Sequence, residues 1–353
     1  GKCIYAISEE RISKIKFDNK WPEQSLSWIL NNHDIKKEPI SAIAIVGARR
    51  LEETSGGSLE RIYEKFNLKK PFLLKLFSKI INIFDNSFPF FSIRSSFVKK
   101  LIKKKLSKYN VLDDKIFFLD HHFCHAIGAF YASGFSEDTL IVTCDGKGDG
   151  YSHKNFFGRV DNNGLKEVEL ISSTKDYDSI GFFYSTVTEF LGFKRMRHEG
   201  KVTGLAAHGK LNKSINSPVS LKNDGLSLKN ELIKDHCESK IKLFKEFIKL
   251  DFKLFFKILI NNAALEGRYA QHKILKFLNK NLIGLSREDI AFYAQNVLET
   301  NLVKLINNFF SKYKSNNLCL SGGVFANVKL NQKILESSKK NVFVMPAMDD
   351  GGL

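Results

Sequence analysis

The sequence predicts an α/β fold made of two related halves, and three observations carry that prediction. Apolar strand-like runs alternate with helical patterns along the chain: CIYAI, ISAIAIVG and KIFFL, later NLCLSGG and NVFVMP. From Thr139 to Ile171 the pattern is a meander, with strands at Thr139 to Cys144, Tyr151 to Val160 and Gly164 to Ile171 and turns at DGKGDG and DNNG. Two glycine-rich turns, DGKGDG and SGGVFAN, each follow a strand, and the second opens a helix. A strand, hairpin and strand that open with an acidic glycine turn begin an RNase H-like half-domain. CIYAI and RISKIKF read as what remains of an equivalent first half, so the expected architecture is the actin-like, sugar-kinase-like (ASKHA) pair of halves with a nucleotide between them. The expected division is 1–138, with a basic helical insertion at about 51–110, and 139–353, with a helical insertion at about 211–285.

In chain order, a short strand or turn is expected through Arg11 to Phe17, then a helix opened by Pro22 that carries Leu26, Ile29 and Leu30. Residues 40–47 read as a buried strand. PFLLKLFSKIINIF and SSFVKKLIKKKLSKY have helical spacing with basic faces, and NSFPFFS between them reads as a loop; a solvated amphipathic cap is favoured over a membrane-surface or substrate-covering insertion. KIFFL is a strand leading into a histidine helix. Ser179 to Gly209 reads as an aromatic helix followed by a glycine-punctuated loop, and 211–285 as polar and then helical. Glu288 to Phe310 is the clearest amphipathic helix, with Ile290, Ala294, Val297, Leu302, Leu305 and Phe309 on one face.

At 353 residues the chain is long enough for two domains with sizeable cores. Its net charge of +17 raises nucleic acid or anionic membrane as partners. The excess is mostly Lys spread with Asn and Ile over the whole chain rather than gathered in a stripe, so nucleic acid is not the expected partner. The five cysteines include no CxxC pair, which argues for a reducing compartment and against a disulfide scaffold or structural zinc. No apolar run approaches the ~20 residues of a membrane span, and no signal peptide is visible, so the expected location is the cytoplasm.

The chemistry is expected between Asp120 and Gly150. On a helix, His121 and His125 stand four residues apart and point the same way, while His122 points about 100° aside. Such a pair alone is as often structural as ligating. Asp145 and Asp350, each at the end of an apolar strand, complete a set suited to Fe(II), Mn(II) or Zn(II) with positions left for phosphate oxygens. Gly146 and Gly148 of DGKGDG, with SGGVFAN opposite, suggest two walls of a nucleotide cleft. Neither turn is a Walker A or GxGxxG motif. In HEGKVTGLAAHG, Lys201 is a candidate phosphate ligand and Glu199 its partner or a base. Cys124 and Cys144 read as packed small hydrophobes, and no GxSxG hydrolase signature is present.

DHHFCHAIGAFYASGF, TCDGKGDG, SIGFFYSTVTEFLGF, RHEGKVTGLAAHGK, LCLSGGVFANVKLNQKI and PAMDDGGL, in that order, resemble the O-carbamoyltransferases of nodulation-factor and antibiotic tailoring. SEERISKIKFDNKWP is similar to that family's early segment. The resemblance implies transfer of a carbamoyl group from carbamoyl phosphate to a hydroxyl of a sugar or other small acceptor, with ATP used to make a carbamoyl-adenylate. It implies an N-terminal domain similar to the threonylcarbamoyl-adenosine tRNA synthases. Carried over by motif, His121, His125, Asp145 and Asp350 hold a metal, with iron the expected ion. Gly322, Gly323 and Asn327 line the nucleotide, Lys16 approaches the carbamoyl group, and His122 is the candidate base for the acceptor proton. The family opens with a further strand and ends with a YrdC-like domain that makes the adenylate, and this sequence carries neither. Phe17 stands where the family often has His, and His208 where it often has Tyr. The expectation is a transferase lobe of a longer protein, fed by a YrdC-like domain in cis or in trans. The competing readings are a threonylcarbamoyl-type tRNA-modifying enzyme, which suits the positive charge, and a non-catalytic nucleotide-binding remnant.

Overall fold

The computed structural model describes residues 5–16, 18, 20–32, 40–46, 66, 69, 90–109, 111–162, 164–211, 214–233 and 265–350. The chain divides into two units, Gly1–Leu119 with Lys253–Ala264, and Asp120–Phe252 with Leu265–Leu353.

In the first unit, α1 (Glu9–Ser13), α2 (Glu23–Asn32), β1 (Ile43–Val46), α3 (Phe90–Ser107) and β2 (Ile116–Leu119) follow in order. β1 and β2 pair in parallel, with Ile43 opposite Ile116. Val98, Ile102 and Leu106 recur every fourth residue on α3, so one face of that helix is buried, with Phe66, Val111 and Ile116. The cap of α2 comes from α1: the Glu9 carboxylate accepts from the Gln24 and Ser25 backbone N–H groups and from the Ser25 hydroxyl. Three expectations change here. Arg11–Ser13 are helical rather than extended, the helix ending at Lys14 with φ of 60°. Tyr5, Ala6 and Ile7 of CIYAI form no strand, and Phe90–Ser92 of the expected loop already belong to α3. The segments PFLLKLFSKIINIF and LFKEFIKLDFKLFFKILI lie outside the described residues.

The second unit holds α4 (His121–Ala132), β3 (Thr139–Gly148), β4 (Tyr151–Val160), β5 (Lys166–Lys175), α5 (Ile180–Phe190), α6 (Glu199–Ala206), β6 (Val219–Leu221), β7 (Leu228–Asn230), α7 (Leu265–Leu282), α8 (Arg287–Lys312), β8 (Asn317–Ser321), α9 (Val328–Ser338) and β9 (Asn341–Val344). Its main sheet has the order β5-β4-β3-β8-β9, with β3, β8 and β9 mutually parallel and β4 antiparallel to both neighbours. Taken in chain order, these five strands lie 3-2-1-4-5 with the second reversed, which is the RNase H-like order. Side chains alternate across a strand, and both faces are covered. Ile141, Phe156 and Cys319 meet Ala126, Ala129 and Phe130 of α4, whereas Leu140, Val142, Leu318 and Leu320 join the core formed with α5 and α8. α8 starts at a Ser286 cap that accepts from the Asp289 N–H, and it buries Ile290, Ala294, Val297, Leu302, Leu305 and Phe309 as the periodicity requires.

Here too the structure amends the sequence reading. β3 continues through Gly148, so DGKGDG is mostly strand, with its register shifted between Cys144 and Gly148 and a turn only at Asp149–Gly150. HEGKVTGLAAHG is helical over α6 rather than a loop, because Val202 and Ala206, four residues apart, are both buried. The β6–β7 hairpin lies in the stretch read only as polar. No described helix is long and apolar enough to cross a membrane.

Candidate metal and nucleotide site

The first turn of α4 is set by Asp120, whose Oδ1 accepts from the Phe123 N–H (2.9 Å) and whose Oδ2 accepts from Lys154 Nζ (2.9 Å). That start aims His121 and His125 the same way. Their Nε2 atoms stand 3.3 and 3.2 Å from Asp145 Oδ2, and 3.6 and 3.8 Å from Asp350 Oδ1. One donor atom from each of the four residues lies within 4.8 Å of all the others. Both imidazoles are buried.

Asp145 divides its two oxygens. Oδ1 accepts from the Gly146 N–H (3.2 Å) and the Gly323 N–H (3.3 Å), which leaves Oδ2 to face the histidines. Burial by itself raises the pKa of this carboxyl, but hydrogen bonds and charge from His121 and His125 outweigh it and hold the group below the ordinary carboxylate range. His125 is oriented through Nδ1, 3.1 Å from Ser321 Oγ at the end of β8. Its buried Nε2 stands 3.2 Å from Asp145 Oδ2 without a well-aligned hydrogen bond. A buried nitrogen that faces two carboxylates and a second imidazole fits a divalent cation with mixed N and O ligands, and the Ser321 contact is the kind of outer partner that fixes a ligating imidazole.

The other expected residues are distributed differently. His122 is buried, with Nδ1 2.9 Å from Thr143 Oγ1 and Nε2 3.2 Å from the Tyr151 carbonyl oxygen. Burial, then the charge of His121, lowers its pKa to about 3, so a role as base requires the ring to leave both protein partners. Lys16 is an exposed residue of the first unit. Gly146 has open space where a Cβ would project, as phosphate approach requires. Gly148 instead makes room for protein: a Cβ there would lie 2.0 Å from His121 Cδ2. Gly322, at φ of 101°, passes so close to Cys144 that a Cβ would meet its carbonyl oxygen at 2.4 Å, and Gly323 faces Asp145.

Asn327 is turned inward. Its Oδ1 caps α9 through the Leu330 N–H, and its Nδ2 donates to Gln295 Oε1 (2.8 Å) and Thr203 Oγ1 (3.1 Å). Lys201 is exposed on α6, its Nζ 5.7 Å from the centre of the Phe193 ring, while Glu199 accepts from Ser185 Oγ and the Met196 N–H. Cys124, Cys144 and Cys319 are free thiols, and burial pushes the Cys124 thiol up to about 11, away from nucleophile chemistry. Sequence reasoning missed Ser321, Gln295 and Asp149; only the Asp-Gly pair at the hairpin tip gave a signal for the last.

Comparison with known proteins agrees with the motifs. The family described as "Carbamoyltransferase N-terminus" matches residues 1–353, and the chain belongs to that family. An uncharacterized protein of Methanocaldococcus jannaschii is 28% identical over the whole chain and 52% of its own length. The nodulation protein NolNO of Sinorhizobium fredii is 26% identical over the whole chain and 43% of its own length. The chain thus spans about half the length of the curated relatives it matches. Among solved structures, full-length HypF in a phosphate- and nucleotide-bound form is 14% identical, with 76% of this chain and 41% of HypF covered at a TM-score of 0.41. The ADPNP-bound activator of 2-hydroxyisocaproyl-CoA dehydratase from Clostridium difficile is 12% identical, with 72% of this chain and 76% of the activator covered at a TM-score of 0.34.

Proposed function

We propose that the protein transfers a carbamoyl group from a carbamoyl-adenylate, made from carbamoyl phosphate and ATP, to a hydroxyl of a sugar or other small molecule. The observation that carries this reading is the convergence of His121, His125, Asp145 and Asp350 on one point, within segments that share the family's motifs. A divalent ion held there, iron in this reading with manganese or zinc as alternatives, would supply the positive charge that polarises a carbonyl and holds phosphate oxygens. The chain's own residues prepare that place. Asp145 Oδ1 ties the Gly146 and Gly323 backbones together, and Ser321 holds the His125 ring. The open flank of Gly146 admits a phosphate group, and Lys201 is the candidate cation for it. Synthesis of the adenylate falls to a YrdC-like domain in cis or in trans.

The test uses the full-length protein, wild type and His121→Ala with His125→Ala. Metal content and carbamoyl transfer from carbamoyl phosphate to small hydroxyl acceptors are measured in the presence of ATP. The double variant is expected to lose its metal, with affinity down by more than about 100-fold, and to lose transfer with it. Full metal occupancy in the double variant would sink the site. Carbamoylation of tRNA in preference to small acceptors would replace the acceptor class.

A further inference from the structure

The tip of the β3–β4 hairpin does something its residue types alone do not explain. Asp149 and Gly150 have φ of 51° and 81°, both left-handed, and Asp-Gly is a favoured pair for such a two-residue turn. An ordinary hairpin tip would leave that aspartate in water. Here Asp149 is 6% exposed, and its Oδ2 accepts from the His121 backbone N–H at 2.9 Å. That N–H is one of the first-turn donors of α4 with no partner inside the helix, and a carboxylate at this end also complements the helix dipole.

The same turn reaches the side chain. The His121 ring lies against Gly148, where any Cβ would sit 2.0 Å from Cδ2. His121 is therefore held at its backbone by Asp149, while Gly148 leaves the room that its ring occupies. Both residues continue the strand that carries Asp145. One stretch, Asp145 to Asp149, thus supplies a carboxylate to the cluster and fixes the imidazole that faces it.

We propose that Asp149 is a positioning residue that sets His121 for cation binding; this rests on the metal reading given above, and Asp149 itself does not touch the ion. Two substitutions in the full-length protein separate the possible roles. Asp149→Gly adopts the left-handed backbone easily but cannot accept the hydrogen bond, whereas Asp149→Asn tolerates the same backbone and keeps an acceptor oxygen. Mn(II) is titrated in, with the free ion followed by its electron paramagnetic resonance, and hydrogen exchange is measured at the His121 amide without metal. The glycine variant is expected to bind Mn(II) about 10 to 100-fold more weakly, with faster exchange at that amide, and the asparagine variant to stay within about threefold of wild type. Wild-type affinity in the glycine variant would overturn the proposal, as would an asparagine variant as weak as the glycine one with its amide still protected. If wild type takes up no Mn(II), the metal reading fails, and the exchange data still decide the rest: protection lost only in Asp149→Gly supports positioning, and unchanged protection overturns it.

Discussion

The two glycine-rich turns resemble each other as sequence and differ as structure. In DGKGDG most of the chemistry is directed inward: Gly148 is filled by an imidazole and Asp149 closes the histidine helix, leaving the flank of Gly146 open. In SGGVFAN the first glycine is forced by close backbone approach to Cys144, the second donates to Asp145, and Asn327 turns back into a polar network with Gln295 and Thr203. The shared point is Asp145 Oδ1, which accepts from one N–H of each turn. Glycine in such a turn can therefore admit a ligand, admit another part of the protein, or permit a backbone angle, and sequence does not say which.

Substitutions can break that comparison apart. The largest effect is expected for Gly322→Ala, where φ of 101° and a carbonyl oxygen 2.4 Å from the new Cβ leave no cheap adjustment. A loss of about 3–4 kcal/mol is expected by denaturant unfolding, and a loss below about 1 kcal/mol would mean that the backbone at β8 can shift.

The hairpin side also carries a buried imidazole on β4, which gives it a pH dependence. Burial lowers the pKa of His153 to about 4, against about 6.5 for a free histidine. The unfolded chain binds the proton first, so this contribution is fully present above pH ~6.5 and is lost as pH falls toward ~4. Relative to His153→Asn, wild-type stability should fall by up to about 3 kcal/mol between neutral pH and pH ~4. Parallel pH curves for the two proteins would show that the ring does not remain neutral in the fold.

The smallest structural effect is expected for Gly146→Ala, which meets nothing within 4 Å. Stability should stay within about 0.5 kcal/mol of wild type, while ATP affinity measured by calorimetry should drop if phosphate approaches this flank. Unchanged affinity would move the nucleotide away from Gly146.

Much of the fold was legible because its signals are local. The apolar run through Leu140, Ile141 and Val142 placed a strand, which the structure covers on both faces, and the spacing of Ile290, Ala294 and Val297 placed α8. The pairing of His121 and His125 was legible for the same reason, since two imidazoles four apart share a helix face wherever that helix lies. Glycine punctuation misled at Gly200 and Gly204: both are exposed on α6, and burial of Val202 and Ala206 outweighs their poor helix propensity. The inward partners of Asn327 had no local signal, because Gln295 comes from α8, far away in the chain.

By itself the sequence determined the donor types and the spacing of His121 and His125; the strand ends expected at Asp145 and Asp350 fall elsewhere, since β3 runs on to Gly148 and β9 stops at Val344. Tertiary structure alone decided which Asp145 oxygen faces the imidazoles, that Ser321 orients His125, and that Asp149 caps the helix bearing His121. The reason is physical: periodicity fixes where a side chain points on its own element, but the partner of a hydrogen bond is set by strand register and by the backbone of a different segment.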